Sequence, residues 1–256
     1  MCYDDNARPP LPPGESGSAY GEDIILTAAD GNRFAAYSAV PANPKAAQVL
    51  IYPDVRGLHQ FYKELALRFA EVGFTALALD YFGRTAGISS RDEPFDYMPH
   101  VQQMQLTTFF QDVSAALDHL RSGEGTARST FTVGFCMGGT LSFLTGTHQD
   151  FDLAGVIGFY AGTSRKFGGA NKTLLEEASN IKYPALGLFG GDDPVIPQEQ
   201  VHEFDEGLDR AGVAHEIVIY PGAPHSFFDR RSTDYADASA DAWQRVLSFI
   251  KTYTTE

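Results

Sequence analysis

From residue 48 onward, short unbroken apolar runs alternate with stretches in which apolar residues recur every three or four positions. The runs are 48–52 (QVLIY), 74–79, 131–135, 155–160 and 185–189, with a shorter one at 216–220. They lack the polar–apolar alternation of a half-exposed strand, so they predict strands buried on both faces of a parallel sheet. The recurring stretches are 61–72, 101–121, 172–180, 198–211 and 236–253. Their period is helical, and 101–121 reads as one long amphipathic helix. Strand and helix in regular alternation predict an α/β fold, a mostly parallel twisted sheet flanked by helices on both faces. Ahead of this pattern, 23–29 and 34–39 flank Asp30-Gly31-Asn32 and predict a β-hairpin. Residues 1–21, rich in Pro, Gly and Ser, predict an irregular arm, which leaves 22–256 as a single domain. The polar, Gly- and Pro-containing stretch 85–99 predicts a loop that serves as a lid or as a pocket rim.

Composition narrows the classes of function. A chain of 256 residues, 43% hydrophobic and 20% charged, suits one globular domain with a full core. Its net charge of −14 argues against nucleic-acid or anionic-membrane partners, which need a positive surface. No apolar run approaches the ~18 residues of a membrane span, and the first residues lack the basic start and apolar segment of a signal peptide. The two cysteines, Cys2 and Cys136, make no disulfide framework, so a reducing cytoplasm is expected.

The chemistry concentrates where strands end. The run 131–135 stops in Gly134-Phe135-Cys136-Met137-Gly138-Gly139, and a helical pattern begins at once. A strand that turns abruptly into a helix, with one reactive side chain between glycines, is a nucleophile elbow. Cys136 stands where serine is more familiar. Side chains two positions to either side of it would collide with the neighbouring strand and helix, which glycine avoids. A buried free cysteine in a Gly-rich turn is the competing reading. Further strand ends carry Asp54, Asp80, Tyr160, Asp193 and His225. The order nucleophile, acid, histidine is that of α/β-hydrolase triads. In it Cys136 attacks a carbonyl carbon, His225 carries the proton, and Asp193 orients the imidazole. Asp192 competes with Asp193, and either also suits a cap for the helix at 198. The backbone N–H groups of Met137 and Val55 are the expected oxyanion hole. His225 follows Pro221-Gly222-Ala223-Pro224 at a strand end, whereas His59, His100, His119, His148, His202 and His215 are expected to do nothing chemical. No two histidines show metal-ligand spacing.

Together these pieces resemble the dienelactone hydrolase (carboxymethylenebutenolidase) family of α/β-hydrolases. The matching residues are Gly134 to Gly139, Gly190-Gly191-Asp192-Asp193 with Pro197, His225-Ser226-Phe227, Asp80-Tyr81-Phe82-Gly83-Arg84 and the loop 54–57, over about residues 20–250. The resemblance favours Asp193 over Asp192. It implies an α/β-hydrolase fold and hydrolysis of a lactone or activated ester through a thioester on Cys136, with no metal or organic cofactor. It also implies that Asp54, at a position where the family usually has glutamate, tunes the nucleophile. Arg84 matches one of two arginines that hold a substrate carboxylate in the family, so the substrate is expected to be small and open to an anionic group. At the second arginine position stands Asp229, with Arg230 and Arg231 just beyond. Tyr160, Phe82, Phe227 and Phe228 are expected pocket walls. A thioesterase or general carboxylesterase would use the same site. A non-catalytic binding protein of this fold is the reading from another class. A monomer is expected.

Overall fold

The computed structural model describes residues 6–14, 16–92, 94–123 and 129–255. Cys2 lies outside them. Eight strands form one sheet in the order β1-β2-β4-β3-β5-β6-β7-β8. They are β1 (Ala19–Thr27), β2 (Arg33–Pro41), β3 (Ala47–Tyr52), β4 (Thr75–Leu79), β5 (Ser129–Phe135), β6 (Gly155–Phe159), β7 (Ala185–Gly190) and β8 (His215–Tyr220). From β4 to β8 every pairing is parallel, while β2 runs antiparallel to both of its neighbours. Strands β3, β4, β6 and β7 are buried at every position, as their unbroken apolar runs require.

Two adjacent residues of β5 show how the layers are arranged. Phe131 meets Phe249 of α8 (Ala236–Tyr253), while Thr132 hydrogen-bonds Ser142 of α5 (Met137–Thr145) at 2.8 Å. Successive strand residues face opposite ways, so α8 and α5 cover opposite faces. α1 (Gln60–Glu71) joins α8 through Phe69 and Trp243, whose rings lie 4.8 Å apart. On the other face Phe143 of α5 meets Phe204 of α7 (Gln198–Ala211), also at 4.8 Å. Trp243 is fully buried, and its indole donates to the Pro10 carbonyl at 2.9 Å, which ties the N-terminal arm to the body. Among the described residues of the arm, 6–14 and 16–18, none is in a helix or strand, and β1 begins at Ala19 rather than beyond residue 21.

The helices depart from expectation in three places. The pattern over 101–121 is not one helix but two, α3 (Met98–Gln103) and α4 (Leu106–Arg121). Met104 and Gln105 are extended between them (ψ 140° and 126°), and the Leu106 N–H donates to the Gly168 carbonyl instead of to its own helix. A tertiary acceptor outweighs the local period there. The stretch 172–180 shrinks to one turn, α6 (Leu174–Glu177), followed by a 3-10 turn at Ala178–Asn180. Thr173 and Glu176 form a reciprocal capping box that fixes its start. Part of 85–99 is also helical, since α2 spans Gly83–Ala86 and α3 starts at Met98.

Candidate active site

Strand order reverses at β3, which has β4 on one side and β5 on the other. In an open parallel sheet the crevice beyond the strand ends at such a switch point is where ligands bind. Tyr52 pairs with Gly134, so the loop bearing Asp54 and the elbow bearing Cys136 leave the sheet side by side. On the other side Phe135 pairs with Phe159, which brings Tyr160 next to Cys136.

Cys136 has φ 55° and ψ −115°, a conformation that costs a non-glycine residue about 1–3 kcal/mol. Its surroundings impose it. The Cys136 N–H donates to the Phe159 carbonyl at 3.0 Å, and its carbonyl accepts from Thr140 N–H at 3.2 Å. A Cβ on Gly134 would run into the Gly138 carbonyl, and one on Gly138 into the carbonyls of Tyr52 and Pro53. Only glycine fits that crossing of backbones. Met137 opens α5, so its N–H belongs to the first helical turn, whose donors have no acceptor within the helix. Of the four non-glycine residues with positive φ among those described, three border the site: Cys136, Tyr160 (36°) and Ser226 (62°). Backbone strain concentrates where the chemistry is expected.

His225 and Asp193 meet directly, Nδ1 to Oδ2, at 2.7 Å, and both are buried. The other carboxylate oxygen of Asp193 accepts from Val195 N–H (2.8 Å) and Ile196 N–H (3.2 Å). The two loops are laced together by backbone bonds from Gly191 N–H to Tyr220 O (2.8 Å) and Asp192 N–H to Ala223 O (3.0 Å). Between the adjacent aspartates, it is Asp193 that turns to the histidine.

Beside the loops that flank Cys136 stand buried acidic and phenolic groups. Asp54 is buried and accepts from Arg56 N–H at 2.9 Å. Its second oxygen lies 3.4 Å from His59 Nε2. His59, expected to be chemically silent, thus sits on the carboxylate nearest the elbow in sequence register, and only its position five residues after Asp54 hinted at it. Tyr81 Oη donates to the carbonyls of Pro53 and Asp54, which fixes the loop that carries Val55. Asp229 is buried, accepts from Tyr160 Oη at 2.9 Å and from its neighbour Arg230 N–H, and lies four residues beyond His225. Burial, and then the charge of Asp54, push its carboxyl up to about 8, against the opposing pull of the Arg230 N–H, Tyr160 and His225. Burial likewise raises the phenols of Tyr160, Tyr81 and Tyr62 well above their usual value. Tyr160 lies with its ring 4.9 Å from that of His225, and Phe228 stacks on Phe135, one residue before Cys136, at 5.8 Å.

Arg84 is not brought to this cluster. Its guanidinium holds both oxygens of Asp112 (2.8 and 3.0 Å), Asp30 and the Thr108 carbonyl, and so joins α2 to the β1–β2 turn and α4. Sequence reasoning passed over Arg91, which is buried against Asp80 at 2.8 Å. Asp80 also accepts from Leu58 and Phe82 N–H, so this ion pair anchors the stretch after α2 to the loop that follows β3. Among the described residues no group of His, Cys, Asp and Glu is arranged to hold a metal ion, and no helix is long and apolar enough to cross a membrane.

Comparison with known proteins agrees with this geometry. The model of the dienelactone hydrolase family matches residues 34–254. A carboxymethylenebutenolidase of Pseudomonas putida is 28% identical, covering 90% of this chain and 95% of that protein. A candidate carboxymethylenebutenolidase of Escherichia coli is 30% identical, covering 87% of this chain and 84% of its own. The crystal structure of a candidate dienelactone hydrolase from Klebsiella pneumoniae superposes with a TM-score of 0.81 at 25% identity, over 93% of this chain and all of that one. An acylaminoacyl peptidase of Pyrococcus horikoshii, 16% identical with a TM-score of 0.74 over 93% of this chain and 42% of its own, shares the fold alone. With an α/β-hydrolase sheet, a strained elbow at its switch point and a family match over most of its length, the chain is a hydrolase that belongs to the dienelactone hydrolase family.

Proposed function

We propose that this hydrolase cleaves a small enol-lactone or activated ester through a Cys136-His225-Asp193 triad and a thioester acyl-enzyme. Cys136 Sγ attacks the carbonyl carbon while its proton passes to His225 Nε2. The oxyanion that forms lies against the N–H groups of Met137 and Val55, which need no reorganisation to receive it. Collapse of the tetrahedral adduct breaks the C–O bond, and His225 returns the proton to the departing oxygen. Water then adds to the thioester, giving its proton to His225, and the C–S bond breaks to regenerate the Cys136 thiol and a carboxylic acid. Asp193 keeps the Nδ1 proton on its own side throughout and stabilises the imidazolium. Asp54, beside the elbow, acts on the ionisation of Cys136. A reducing cytoplasm is the compartment that keeps this thiol free, and the chain acts as a monomer on its small-molecule substrate.

The observation that carries the reading is the 2.7 Å bond between His225 and Asp193, beyond the ends of β7 and β8 in the sheet whose β5 leads into Cys136. It is tested by turnover of an uncharged enol-lactone, an aryl ester and an acyl thioester, with mass spectrometry of the trapped acyl-enzyme. The expected result is loss of turnover in Cys136→Ala, an acyl adduct on Cys136 in the wild type, and the highest kcat/KM for the lactone. Undiminished activity in Cys136→Ala would sink the mechanism. A kcat/KM led by the thioester would make the enzyme a thioesterase.

A further inference from the structure

Asp54, Val55, Arg56 and Gly57 form a β-turn. The Gly57 N–H closes it on the Asp54 carbonyl at 3.1 Å, and the Arg56 N–H meets the Asp54 side chain at 2.9 Å. Val55 is the first central residue of this turn, and among the described residues no acceptor takes its N–H. The Asp54 carbonyl and the Val55 N–H belong to one planar trans peptide, so they point opposite ways. Whatever holds that carbonyl sets the direction of that N–H.

Tyr81 holds it. Its hydroxyl lies 3.2 Å from the Asp54 carbonyl and also bonds the preceding one, that of Pro53. The carbonyls of Pro53 and Tyr52 lie against Gly138 in the first turn of α5, two residues after Cys136. The phenol therefore grips the part of the loop that packs on the elbow. It is buried edge-on to Phe82 and Phe109, and burial raises its ionisation well above the usual value, so it stays a donor. Asp80, the residue before it, takes the Leu58 N–H at 3.1 Å. Two adjacent residues just beyond β4 thus hold both ends of the turn.

We infer that Tyr81 is a positioning residue of the reaction, whose hydroxyl turns the Asp54–Val55 peptide so that the Val55 N–H stands ready for the oxyanion. The inference rests on the roles proposed above for Cys136 and Val55, and adds a residue that touches no reacting atom.

Tyr81→Phe keeps the ring and removes the hydroxyl. Two substrates with one leaving group read the oxyanion site selectively: 4-nitrophenyl acetate and O-4-nitrophenyl thioacetate, in which sulfur replaces the carbonyl oxygen. Sulfur is the weaker hydrogen-bond acceptor, so the thiono ester draws less from the same N–H groups. Their ratio of kcat/KM, divided by the same ratio for a free thiol in solution, cancels what a variant does to the shared chemistry. The wild type is expected to favour the oxygen ester by about 100-fold or more, and Tyr81→Phe to narrow that preference by about fivefold or more, through kcat rather than KM. A smaller change in a folded Tyr81→Phe variant would overturn the inference even where activity falls, because a loosened fold lowers both esters alike. If Tyr81→Phe does not fold, Tyr81→4-aminophenylalanine, a weaker donor of similar length, replaces it. A preference narrowed by about twofold or more then supports the inference, and a smaller change overturns it. A wild type without preference overturns it too, since no oxyanion hole would operate. Cys136→Ala, run alongside, keeps the two proposals apart: residual turnover of both esters defeats the nucleophile assignment whatever the preference.

Discussion

Asp193 holds His225 with one carboxylate oxygen and the backbone of Val195 and Ile196 with the other. The carboxylate is therefore fixed from behind, and the imidazole inherits that orientation. Asp193→Asn preserves size and the backbone contacts but removes the charge and favours the wrong tautomer. We expect kcat to fall by about 10³–10⁴ with the fold intact, as in serine-protease triads, measured by steady-state kinetics beside circular dichroism. Retention of more than a tenth of the activity would remove Asp193 from the mechanism.

Gly138 meets the carbonyls of Tyr52 and Pro53, at and just beyond the end of β3. Both sides of the contact are backbone, so neither can give way cheaply. Gly138→Ala should destabilise the protein by about 3 kcal/mol or more, read as a lower urea midpoint at unchanged slope. A shift below about 1 kcal/mol would mean that the elbow is looser than its contacts imply.

The carboxyl of Asp229, raised from an ordinary 3.8 to about 8, makes stability fall as pH rises. Between those values the native state keeps a proton that the unfolded chain has released, so the favourable contribution is lost as pH climbs through 8. Asp229→Asn carries no such burden. Its stability relative to the wild type should grow from pH 4 to pH 8, by at most about 1.4 kcal/mol per pH unit, and level off above. Denaturation at pH 5, 7 and 9 tests this, and a pH-independent difference would contradict it.

Arg91 and Asp80 form a fully buried ion pair that reaches both the Leu58 and the Phe82 amides. Removing one partner leaves a charge stranded, which typically costs about 3–5 kcal/mol, whereas removing both costs less. Arg91→Met should therefore destabilise more than the double variant Asp80→Asn/Arg91→Met. It should also expose residues 83–92 to limited proteolysis. Equal stability of the single and double variants would show that the pair is not the anchor.

The parallel sheet was readable because strands buried on both faces leave unbroken apolar runs, as at 48–52 and 185–189, and β3 and β7 lie there. The order of Cys136, Asp193 and His225 was readable because their places follow from strand ends, and the structure joins the last two directly. What stayed hidden depends on partners remote in the chain. The break between α3 and α4 follows from the Gly168 carbonyl, which no periodicity over 101–121 could register. Arg84 looked available for a ligand until folding brought Asp30 and Asp112 to it from either side in sequence. Arg91 gave no pattern at all, since its burial depends on the Asp80 carboxylate, the Gly87 carbonyl and the Ser89 hydroxyl meeting it in the fold.

The sole tryptophan of the chain, Trp243, is packed against Phe228 at 5.7 Å, and Phe228 in turn against Phe135. Three aromatic rings therefore run from the interior of α8 to the residues flanking His225 and Cys136. The molecule carries its own optical reporter: emission from that one indole, selectively excited, should register any rearrangement of the histidine loop without a label. Substrate binding, unfolding of that loop and release of the N-terminal arm from the same indole could be followed on one spectroscopic channel, and time-resolved against turnover.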